Sequence, residues 1–378
     1  MDIDLQAYGE SLMQNKRGSI VAIEPSTGEI LSIISAPSYD PNKLSLGKSR
    51  SNTFLEMLSD SINEPLLDRP LQAAYPPGSI FKPILSLIAL QEGVWYARKP
   101  MVCTGEYHVN KRKGFSQGCR DHPSPYNLQT ALQYSCNTYY YQMVREYIDR
   151  YGYNNPGQGL DELMGYLKQF GIGEKLGVDL LNEREGFRPS AAYYDKKINT
   201  REYSWKSTYI LSLGIGQGEL QLTTLQMANL AAIIANRGYF YPPHILKSFA
   251  SNNPIGLQYT QKQSVAIDSQ HFETVIDGME LVVRGGSGGR AYVPGLDICG
   301  KTGTSQNAGQ DHSVFFAFAP KDDPKIAVAV YVENAGGGSA VAAPMAGLLI
   351  EKYLNDSIAP NRLGIEARMK QLNFTDLP

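Results

Sequence analysis

The 378-residue sequence lacks the long apolar runs of a membrane protein, since no stretch approaches the roughly 20 residues that a spanning helix needs. It also lacks an excess of charge: 35 Lys and Arg stand against 37 Asp and Glu, for a formal net charge of −2. This balance gives no electrostatic reason to expect nucleic acid or an anionic membrane surface as a partner. A hydrophobic content of 42% instead predicts a globular protein, with one large domain or two lobes around a shared core.

The most informative segment is Tyr75–Lys82, which reads Tyr-Pro-Pro-Gly-Ser-Ile-Phe-Lys. Two prolines and a glycine prevent a helix before Ser79, whereas the mostly apolar run from Ile80 to Leu90 predicts one directly after it. We therefore expect Ser79 at a helix N-terminus, where free N–H groups and the helix dipole favour developing negative charge. Lys82 lies on the same face of that helix. A buried lysine loses its charge through desolvation and can serve as the base that a serine nucleophile needs.

Two further motifs follow along the chain, Ser135-Cys136-Asn137 and Lys301-Thr302-Gly303-Thr304. Each has an ordinary explanation by itself, as a helix cap or as a charged strand edge with a bulge. Their order after Ser79 and Lys82, however, matches the motif set of penicillin-recognising serine enzymes. The second motif has Cys at its centre, which the broader Ser-x-Asn form allows.

The similarity extends over nearly the whole chain. The sequence resembles the transpeptidase domain of class B penicillin-binding proteins and is most similar to their elongation-type branch. The stretches that carry the resemblance are Gly18–Pro25, Ala36–Pro41, Gly214–Gly218 and Val293–Gln306. The segments that favour the elongation type over the septal type are Gly214–Gly218, Leu222–Asn229 and Asn137–Gln142.

The resemblance implies a serine-type peptidoglycan D,D-transpeptidase, which crosslinks stem peptides during cell elongation and is inhibited covalently by β-lactams. Ser79 would attack the carbonyl of a D-Ala-D-Ala stem peptide with Lys82 as base, and the amine of a second stem peptide would then take the acyl group. Ser135 would relay a proton to the leaving group. Asn137 would bind the substrate amide and hold Lys82 in place.

The third motif is expected to bind the substrate from the other side. Lys301 would attract a substrate carboxylate and help to keep Lys82 neutral by repulsion. Thr302 and Thr304 would offer hydroxyls to that carboxylate, and Gly303 would leave room for the substrate to pair as an added strand. In the family, the backbone N–H groups of the nucleophile and of the residue after Lys-Thr-Gly, here Thr304, form the oxyanion hole.

The resemblance also implies parts of a longer protein. We expect residues 1–378 to be the transpeptidase domain of a protein whose membrane anchor and pedestal domain lie outside this sequence, with Met1 as an added start. That protein would stand at the periplasmic face of the bacterial inner membrane. Its expected partner is a glycosyltransferase of the elongation machinery.

The hydrophobic patterns predict an α+β fold, with one antiparallel five-stranded sheet flanked by terminal helices and a mostly helical lobe over about 75–290. The expected strands are Gly18–Ile23, Glu29–Ser35, Ile298–Ser305, Ser313–Ala319 and Ile326–Val332. The expected helices are Leu128–Tyr147, Asp161–Phe170, Thr223–Asn236 and Ser339–Leu354. We assign no structure to residues 43–70 and 185–207. The catalytic cleft should lie between the helical lobe and the sheet edge near Lys301.

Three of the four cysteines lie close to a histidine in the sequence. Cys103, Cys119, His122 and Cys136 include a Cys-x-x-His spacing, and three Cys with one His suit a structural, tetrahedral Zn²⁺. Residues 103–126 contain few apolar side chains, so a metal would give them a reason to order. Two alternatives stay open, a Cys103–Cys119 disulfide and ligation by His108. The acyl-transfer chemistry itself needs no cofactor.

Two other functions remain open. A β-lactamase or β-lactam sensor shares the motifs, but a class A lactamase needs Glu-x-x-Leu-Asn between the second and third of them. The match here, Glu351–Asn355, follows the third motif. A non-catalytic scaffold is the second alternative, and the intact motifs argue against it. A fluorescent penicillin separates the three: a lasting adduct indicates a transpeptidase or sensor, a brief one a lactamase, and none a scaffold.

Overall fold

The computed structural model describes residues 1–45, 50–109, 116–200, 204–249 and 255–375. Within these ranges the chain has the predicted α+β fold. The helices are α1 (Ile3–Leu12), α2 (Arg50–Ser59), α3 (Arg69–Gln72), α4 (Lys82–Gln91), α5 (Leu128–Tyr134), α6 (Asn137–Ile148), α7 (Pro156–Gln169), α8 (Ala191–Ile198), α9 (Thr224–Ala235), α10 (Leu257–Thr260), α11 (Ser269–Gly285), α12 (Ala342–Asn355) and α13 (Leu363–Gln371). None of the described helices is both long enough and apolar enough to cross a membrane.

The main sheet joins strands from both halves of the chain. Its strands are β1 (Gly18–Ile23), β2 (Ile30–Ala36), β9 (Cys299–Ser305), β10 (His312–Ala319) and β11 (Ile326–Val332), in the order β2-β1-β11-β10-β9. All neighbours are antiparallel, with Ile20 opposite Val330 and Lys301 opposite Phe316. The five predicted strands are therefore confirmed to within one residue at each end, and β9 lies at an edge. The short strands are β3 (Ala74–Tyr75), β4 (Glu106–His108), β5 (Ser116–Gly118), β6 (Leu222–Thr223), β7 (Tyr239–Phe240) and β8 (Gln263–Ser264).

Both faces of the sheet are buried by helices. Ile20, Val328 and Val330 belong to an apolar cluster with residues of α1, α12 and α13. Val21 and Phe316 point the other way, into a cluster that includes most of the apolar residues of α4 and α9. Because successive side chains of a strand alternate between faces, two covered faces require strands that are apolar along their length. This explains why β1 and β11 are readable from sequence as unbroken apolar runs.

The predicted helix Leu128–Tyr147 is wrong in its middle. Two helices, α5 and α6, occupy this segment, and they are separated at Ser135 and Cys136. Ser135 has left-handed backbone angles (φ 56°, ψ 42°), whereas Cys136 is extended and its Sγ accepts a hydrogen bond from the Tyr139 N–H as the cap of α6. The apolar pattern runs through the break without interruption, so sequence periodicity cannot reveal it.

Helices also lie in the two segments to which we assigned no structure. In the first, α2 has no buried residue, and its apolar side chains Phe54, Leu55 and Leu58 are exposed. In the second, α8 begins at a Ser190 side chain that accepts from the Tyr193 N–H. Residues 46–49 and 201–203 of these segments, and 110–115 of the cysteine-rich loop, lie outside the described ranges.

Helix α7 starts at Pro156, five residues before the predicted start, with proline in the first turn, where it is tolerated.

Candidate active site

Ser79 lies in a single 3₁₀ turn, Gly78–Phe81, that leads directly into α4. The Lys82 backbone N–H donates to the Ser79 carbonyl oxygen, so the two residues are one turn apart, as predicted. Ser79 is half-buried, whereas Lys82 is fully buried. The turn thus places a half-buried serine one turn before a fully buried lysine.

The Lys82 amine is held by three oxygen atoms of the second motif. Its Nζ lies 2.8 Å from the Ser135 carbonyl oxygen, 3.2 Å from Ser135 Oγ and 2.7 Å from Asn137 Oδ1. Burial lowers the pKa of Lys82 to about 7; the neighbouring Cys136 and Cys119 oppose this shift and Arg120 adds to it. A substantial fraction of Lys82 is therefore neutral near neutral pH.

Lys301 reaches the same serine hydroxyl from the sheet. Its Nζ lies 2.9 Å from Ser135 Oγ and 3.0 Å from the Thr302 carbonyl oxygen, and its side chain is fully buried. Burial, followed by repulsion from Lys82, holds the pKa of Lys301 well below its usual value. Ser135 Oγ is thus bracketed by two amines, an arrangement suited to moving a proton between them.

The break between α5 and α6 produces this arrangement. The left-handed Ser135 ends α5, and the next helix starts at Asn137, so the serine and asparagine are both within reach of Lys82. Asn137 is anchored twice more: its backbone N–H donates to Cys119 Sγ (3.1 Å), and its Nδ2 donates to the Gly118 carbonyl oxygen (3.2 Å).

The third motif occupies the edge strand β9. Thr302 Oγ1 lies 2.7 Å from Ser287 Oγ, and the Thr304 carbonyl oxygen accepts a hydrogen bond from Gln217 Nε2 at 2.8 Å. Because β9 pairs only with β10 within the described sheet, its other edge has no strand partner, and the Gly78–Phe81 turn lies against part of it.

Two glycines allow the turn that contains Ser79 to approach β9 and the Gly214–Gly218 segment. Gly78 has φ +59°, and a Cβ on it would lie 2.5 Å from the Thr304 carbonyl oxygen. Gly216 has φ +68°, and a Cβ on it would lie 2.1 Å from the Gly78 carbonyl oxygen. The Gly78 N–H also donates to the Gly216 carbonyl oxygen at 2.9 Å. These contacts fix the position of Ser79 relative to the third motif.

The structure brings the four predicted metal ligands together. The thiols of Cys103, Cys119 and Cys136 and a ring nitrogen of His122 all lie within 4.8 Å of one another. Ligand atoms around a tetrahedral Zn²⁺ with Zn–S bonds of about 2.3 Å lie roughly 3.5–4 Å apart, so the cluster is only slightly wider than a filled site. His108 lies elsewhere, with its Nε2 3.5 Å from Glu106 Oε2.

The chemistry of the donors fits a cation. His122 Nδ1 lies 2.8 Å from the Pro123 carbonyl oxygen, which places the ring proton on Nδ1 and leaves Nε2 facing Cys119 Sγ at 3.2 Å. All four cysteines are free thiols. A hydrogen bond with the Cys136 thiol lowers the pKa of Cys119, while the same contact raises that of Cys136.

Comparison with known proteins identifies the family. The family described as "Penicillin binding protein transpeptidase domain" matches residues 18–351. The chain belongs to this transpeptidase family. It is 32% identical over 364 residues to peptidoglycan D,D-transpeptidase MrdA of Acinetobacter baumannii, an alignment that covers 90% of this chain and 51% of the relative. The chain spans about half the length of the curated relatives it matches.

Two solved structures of penicillin-binding proteins show the same architecture. Pseudomonas aeruginosa PBP2 in complex with WCK 5153 is 33% identical, with a TM-score of 0.81 over 96% of this chain and 77% of the other. Penicillin-binding protein A of M. tuberculosis, a ceftriaxone acyl-enzyme complex, is 27% identical, with a TM-score of 0.75 over 93% and 78%. The resemblance read from the motifs is confirmed.

Sequence reasoning missed several residues of this transpeptidase-family cleft. A cavity of about 160 Å³ contains Ser79, Ser135, Asn137, Thr302 and Thr304, and the residues that complete it are Arg120, Ile215, Gln217, Gln306 and Asp311. The Gly-Ile-Gly-Gln-Gly segment carried the resemblance without receiving a role. The glycines of this segment indicate backbone that approaches another chain segment closely, but nothing in the pattern identifies the bonding partner of Gln217.

The close approach of Gly78 to β9 predicts a stability difference between two glycine substitutions. Gly93 also has a left-handed backbone (φ +64°), but a Cβ there meets no atom within 4 Å. Gly93→Ala therefore carries only the left-handed penalty of about 1–2 kcal/mol, and Gly78→Ala should exceed it by at least about 1 kcal/mol. Urea unfolding measures the free energy of unfolding of both variants, and the two values are compared when the m-values are equal. Equal losses of unfolding free energy would contradict the close approach.

Proposed function

We propose that this chain is a serine D,D-transpeptidase domain that transfers the acyl group of a D-Ala-D-Ala stem peptide to an amine. The observation that carries the proposal is the position of Lys82: it is fully buried, its amine has a pKa lowered to about 7, and it lies one turn after Ser79, which lines the cavity. A serine hydroxyl needs such a base, and a lysine is one only when its charge is removed.

In the first half-reaction, Ser79 Oγ bonds to the carbonyl carbon of the penultimate D-Ala while its proton passes to Lys82 Nζ. The backbone N–H groups of Ser79 and Thr304 are proposed to stabilise the oxyanion that forms. Collapse of this intermediate breaks the C–N bond to the terminal D-Ala. The leaving amine takes the proton from Lys82 through Ser135, whose hydroxyl lies 3.2 Å from that lysine.

In the second half-reaction, the amine of another stem peptide attacks the ester carbonyl. Its proton returns along the same path to Lys82, and the Ser79 Oγ–C bond breaks as the hydroxyl is re-formed. The products are a new amide crosslink and free enzyme. Lys301 and the hydroxyls of Thr302 and Thr304 are proposed to bind the terminal carboxylate of the donor, and Asn137 its amide.

The lactamase alternative loses support at Glu351. This carboxylate is buried in α12 and bonds to Arg362, with Oε2 2.6 Å from the arginine Nε. It does not line the cavity that holds Ser79. A glutamate committed to an ion pair elsewhere cannot position water for deacylation. The β-lactam adduct is therefore expected to persist.

We also propose that Cys103, Cys119, His122 and Cys136 hold one structural Zn²⁺. The support is the donor set, its spacing and the His122 tautomer described above. When bound, zinc would contribute folding free energy to the loop that carries three of these ligands. Cys119 Sγ accepts a hydrogen bond from the Asn137 N–H, and Cys136 caps α6. The loop and the second motif are therefore in direct contact.

The finer functional assignment rests on the elongation-type segments of the sequence. We propose that the chain is the catalytic domain of a longer, membrane-anchored protein that works at the periplasmic face of the inner membrane during cell elongation. A glycosyltransferase that supplies the glycan strands is the proposed partner of that protein. The greater length of the curated relatives supports this proposal, since their chains include about as much sequence outside the matched segment.

The central test is covalent labelling of Ser79. Intact-mass analysis after incubation with a β-lactam should show one adduct, and Ser79→Ala should abolish it. Ser207→Ala is the control, since Ser207 is buried and its Oγ bonds to Asp149, away from the residues that line the cavity. An adduct that still forms in Ser79→Ala would show that Ser79 is not the acylated residue. An adduct on the unsubstituted chain that hydrolyses within minutes would indicate a lactamase.

The two active-site lysines should differ in their effects on acylation. Lys82→Ala removes the base, and we expect a loss of about 10²–10⁴-fold in the acylation rate. Lys301→Ala removes one charge-assisted contact, and a loss of about 10–100-fold follows. Lys16→Ala is the control, because Lys16 is also buried but bonds to backbone carbonyls far from the cleft. If Lys301→Ala is the more damaging variant, the two roles are exchanged.

The lowered pKa of Lys82 predicts the pH dependence of acylation. Only the neutral amine accepts the serine proton, and its fraction rises as pH increases through the pKa of about 7. The acylation rate should therefore rise about tenfold per pH unit below 7 and reach a plateau above pH 8. Stopped-flow measurements from pH 5.5 to 9 test this. A rate that is flat or falling across pH 7 excludes Lys82 as the base.

The purified domain should contain about one equivalent of zinc by elemental analysis. Removal by a strong chelator should lower the melting temperature by on the order of 5 °C or more and slow the acylation of Ser79. His122→Ala should lose the metal, whereas His108→Ala and Cys299→Ser should retain it. Absence of metal together with a Cys103–Cys119 disulfide by peptide mapping would establish the alternative.

A further inference from the structure

A second cavity, of about 530 Å³, lies between the turn at residues 289–291, the start of α12 and the start of α13. It shares no lining residue with the cavity that contains Ser79. Its volume falls within the range of small-molecule sites in proteins. Nothing in the acyl-transfer reaction uses it.

The charge of this cavity is entirely positive. Arg290, Arg362 and Arg368 line it, and no Asp or Glu does. Arg290 and Arg368 are exposed, and within the described part of the chain neither side chain forms an ion pair or a hydrogen bond. The nearby carboxylates are already used, since Glu351 pairs with Arg362 and Glu366 with Lys370. The whole chain has a net charge of −2, so the positive charge of this lining is a property of the cavity and not of the protein as a whole.

One of the three arginines is buried and incompletely satisfied. Arg362 is 5% exposed; its Nε bonds to Glu351, and its Nη1 donates to the Tyr292 carbonyl oxygen at 2.5 Å. Its Nη2 is buried and has no hydrogen-bond partner among the described residues. A buried donor without an acceptor is unfavourable and uncommon. Because Nη2 is shielded from solvent, the guanidinium groups available to a ligand in the cavity are those of Arg290 and Arg368, and Arg362 lies behind them.

The rest of the lining is apolar. Pro344, Ile365 and Met369 form a wall, and the Tyr292 side chain is 45% exposed beside it. A hydrated inorganic anion would gain no binding energy from contact with these apolar side chains. It suits a ligand that joins a charged group to a hydrocarbon group.

We propose that this cavity binds the phosphate ester of a small apolar group. Guanidinium groups match phosphate oxygens with paired, charge-assisted hydrogen bonds. Phosphate is favoured over carboxylate because its three free oxygens can engage two guanidinium groups at once, those of the exposed Arg290 and Arg368. The apolar wall would receive the hydrocarbon. The ester could be a free metabolite or the headgroup end of a lipid, and the chemistry of recognition is the same.

The test is calorimetric titration of the whole chain with geranyl phosphate, and with inorganic phosphate for comparison. We expect geranyl phosphate to bind at least tenfold more tightly than inorganic phosphate. Arg290→Ala and Arg368→Ala should each weaken binding by about tenfold or more. Arg98→Ala is the matched control, because Arg98 is exposed and lies outside the cavity. It should change binding by less than about twofold.

A steric variant tests the site without changing its charge. Gly364 lines the cavity in the first turn of α13, and a Cβ on it meets no atom within 4 Å. Gly364→Leu should fill the cavity and abolish binding while the fold is retained. Gly165→Leu is its control, since Gly165 is also a helical glycine with open space around it. Thermal unfolding shows that each variant is folded.

The source of the phosphate is distinguished with vesicles. Phosphatidylcholine vesicles containing phosphatidic acid should compete with geranyl phosphate if the ligand is a lipid, and should not if it is a free ester. Three results would overturn the proposal. They are equal weakening by Arg98→Ala, equal affinity for inorganic phosphate, and tighter binding of an acidic peptide than of geranyl phosphate.

Discussion

The burial of one amine is the constraint on which the site depends. An ammonium removed from water must be given oxygen acceptors, and Lys82 receives them from Ser135 and Asn137. These acceptors are neutral. Within the described residues no carboxylate bonds to Lys82, so nothing locks the amine in its charged form. Desolvation therefore dominates and leaves the pKa near 7. A carboxylate in place of Asn137 would hold the amine equally firmly but would favour its charged form, which cannot accept a proton.

The sheet converts this local arrangement into a complete site. Lys301 is more than two hundred positions from Lys82 in the chain, yet both amines contact the same hydroxyl. They meet because β9 is the edge of a sheet whose other strands come from both chain ends, and because α4 lies against one face of that sheet. The packing of the apolar strands thus fixes the distance between the two amines. The geometry of the site therefore depends on the packing of the sheet.

The limits of sequence reasoning follow the same physics. Strand β11 was predicted at its observed bounds because burial on both faces leaves an unmistakable apolar run. The break at Ser135 was missed because the apolar pattern of α5 and α6 continues across it. Gln217 was missed for a different reason: its amide matters only through a bond to the Thr304 carbonyl oxygen, which no local pattern encodes. Helix α2 was missed although Phe54, Leu55 and Leu58 have helical spacing, because a short apolar cluster between polar residues does not by itself distinguish a helix from a loop.

The left-handed backbone of Ser135 restricts which amino acids evolution can place there. Threonine has the same hydroxyl and the same hydrogen-bonding capacity, and on chemical grounds alone the two would be interchangeable. At φ 56°, however, a β-branched side chain is strongly disfavoured, whereas serine is tolerated. The backbone conformation at this position therefore favours serine over threonine, although the chemistry of the two hydroxyl groups would allow either.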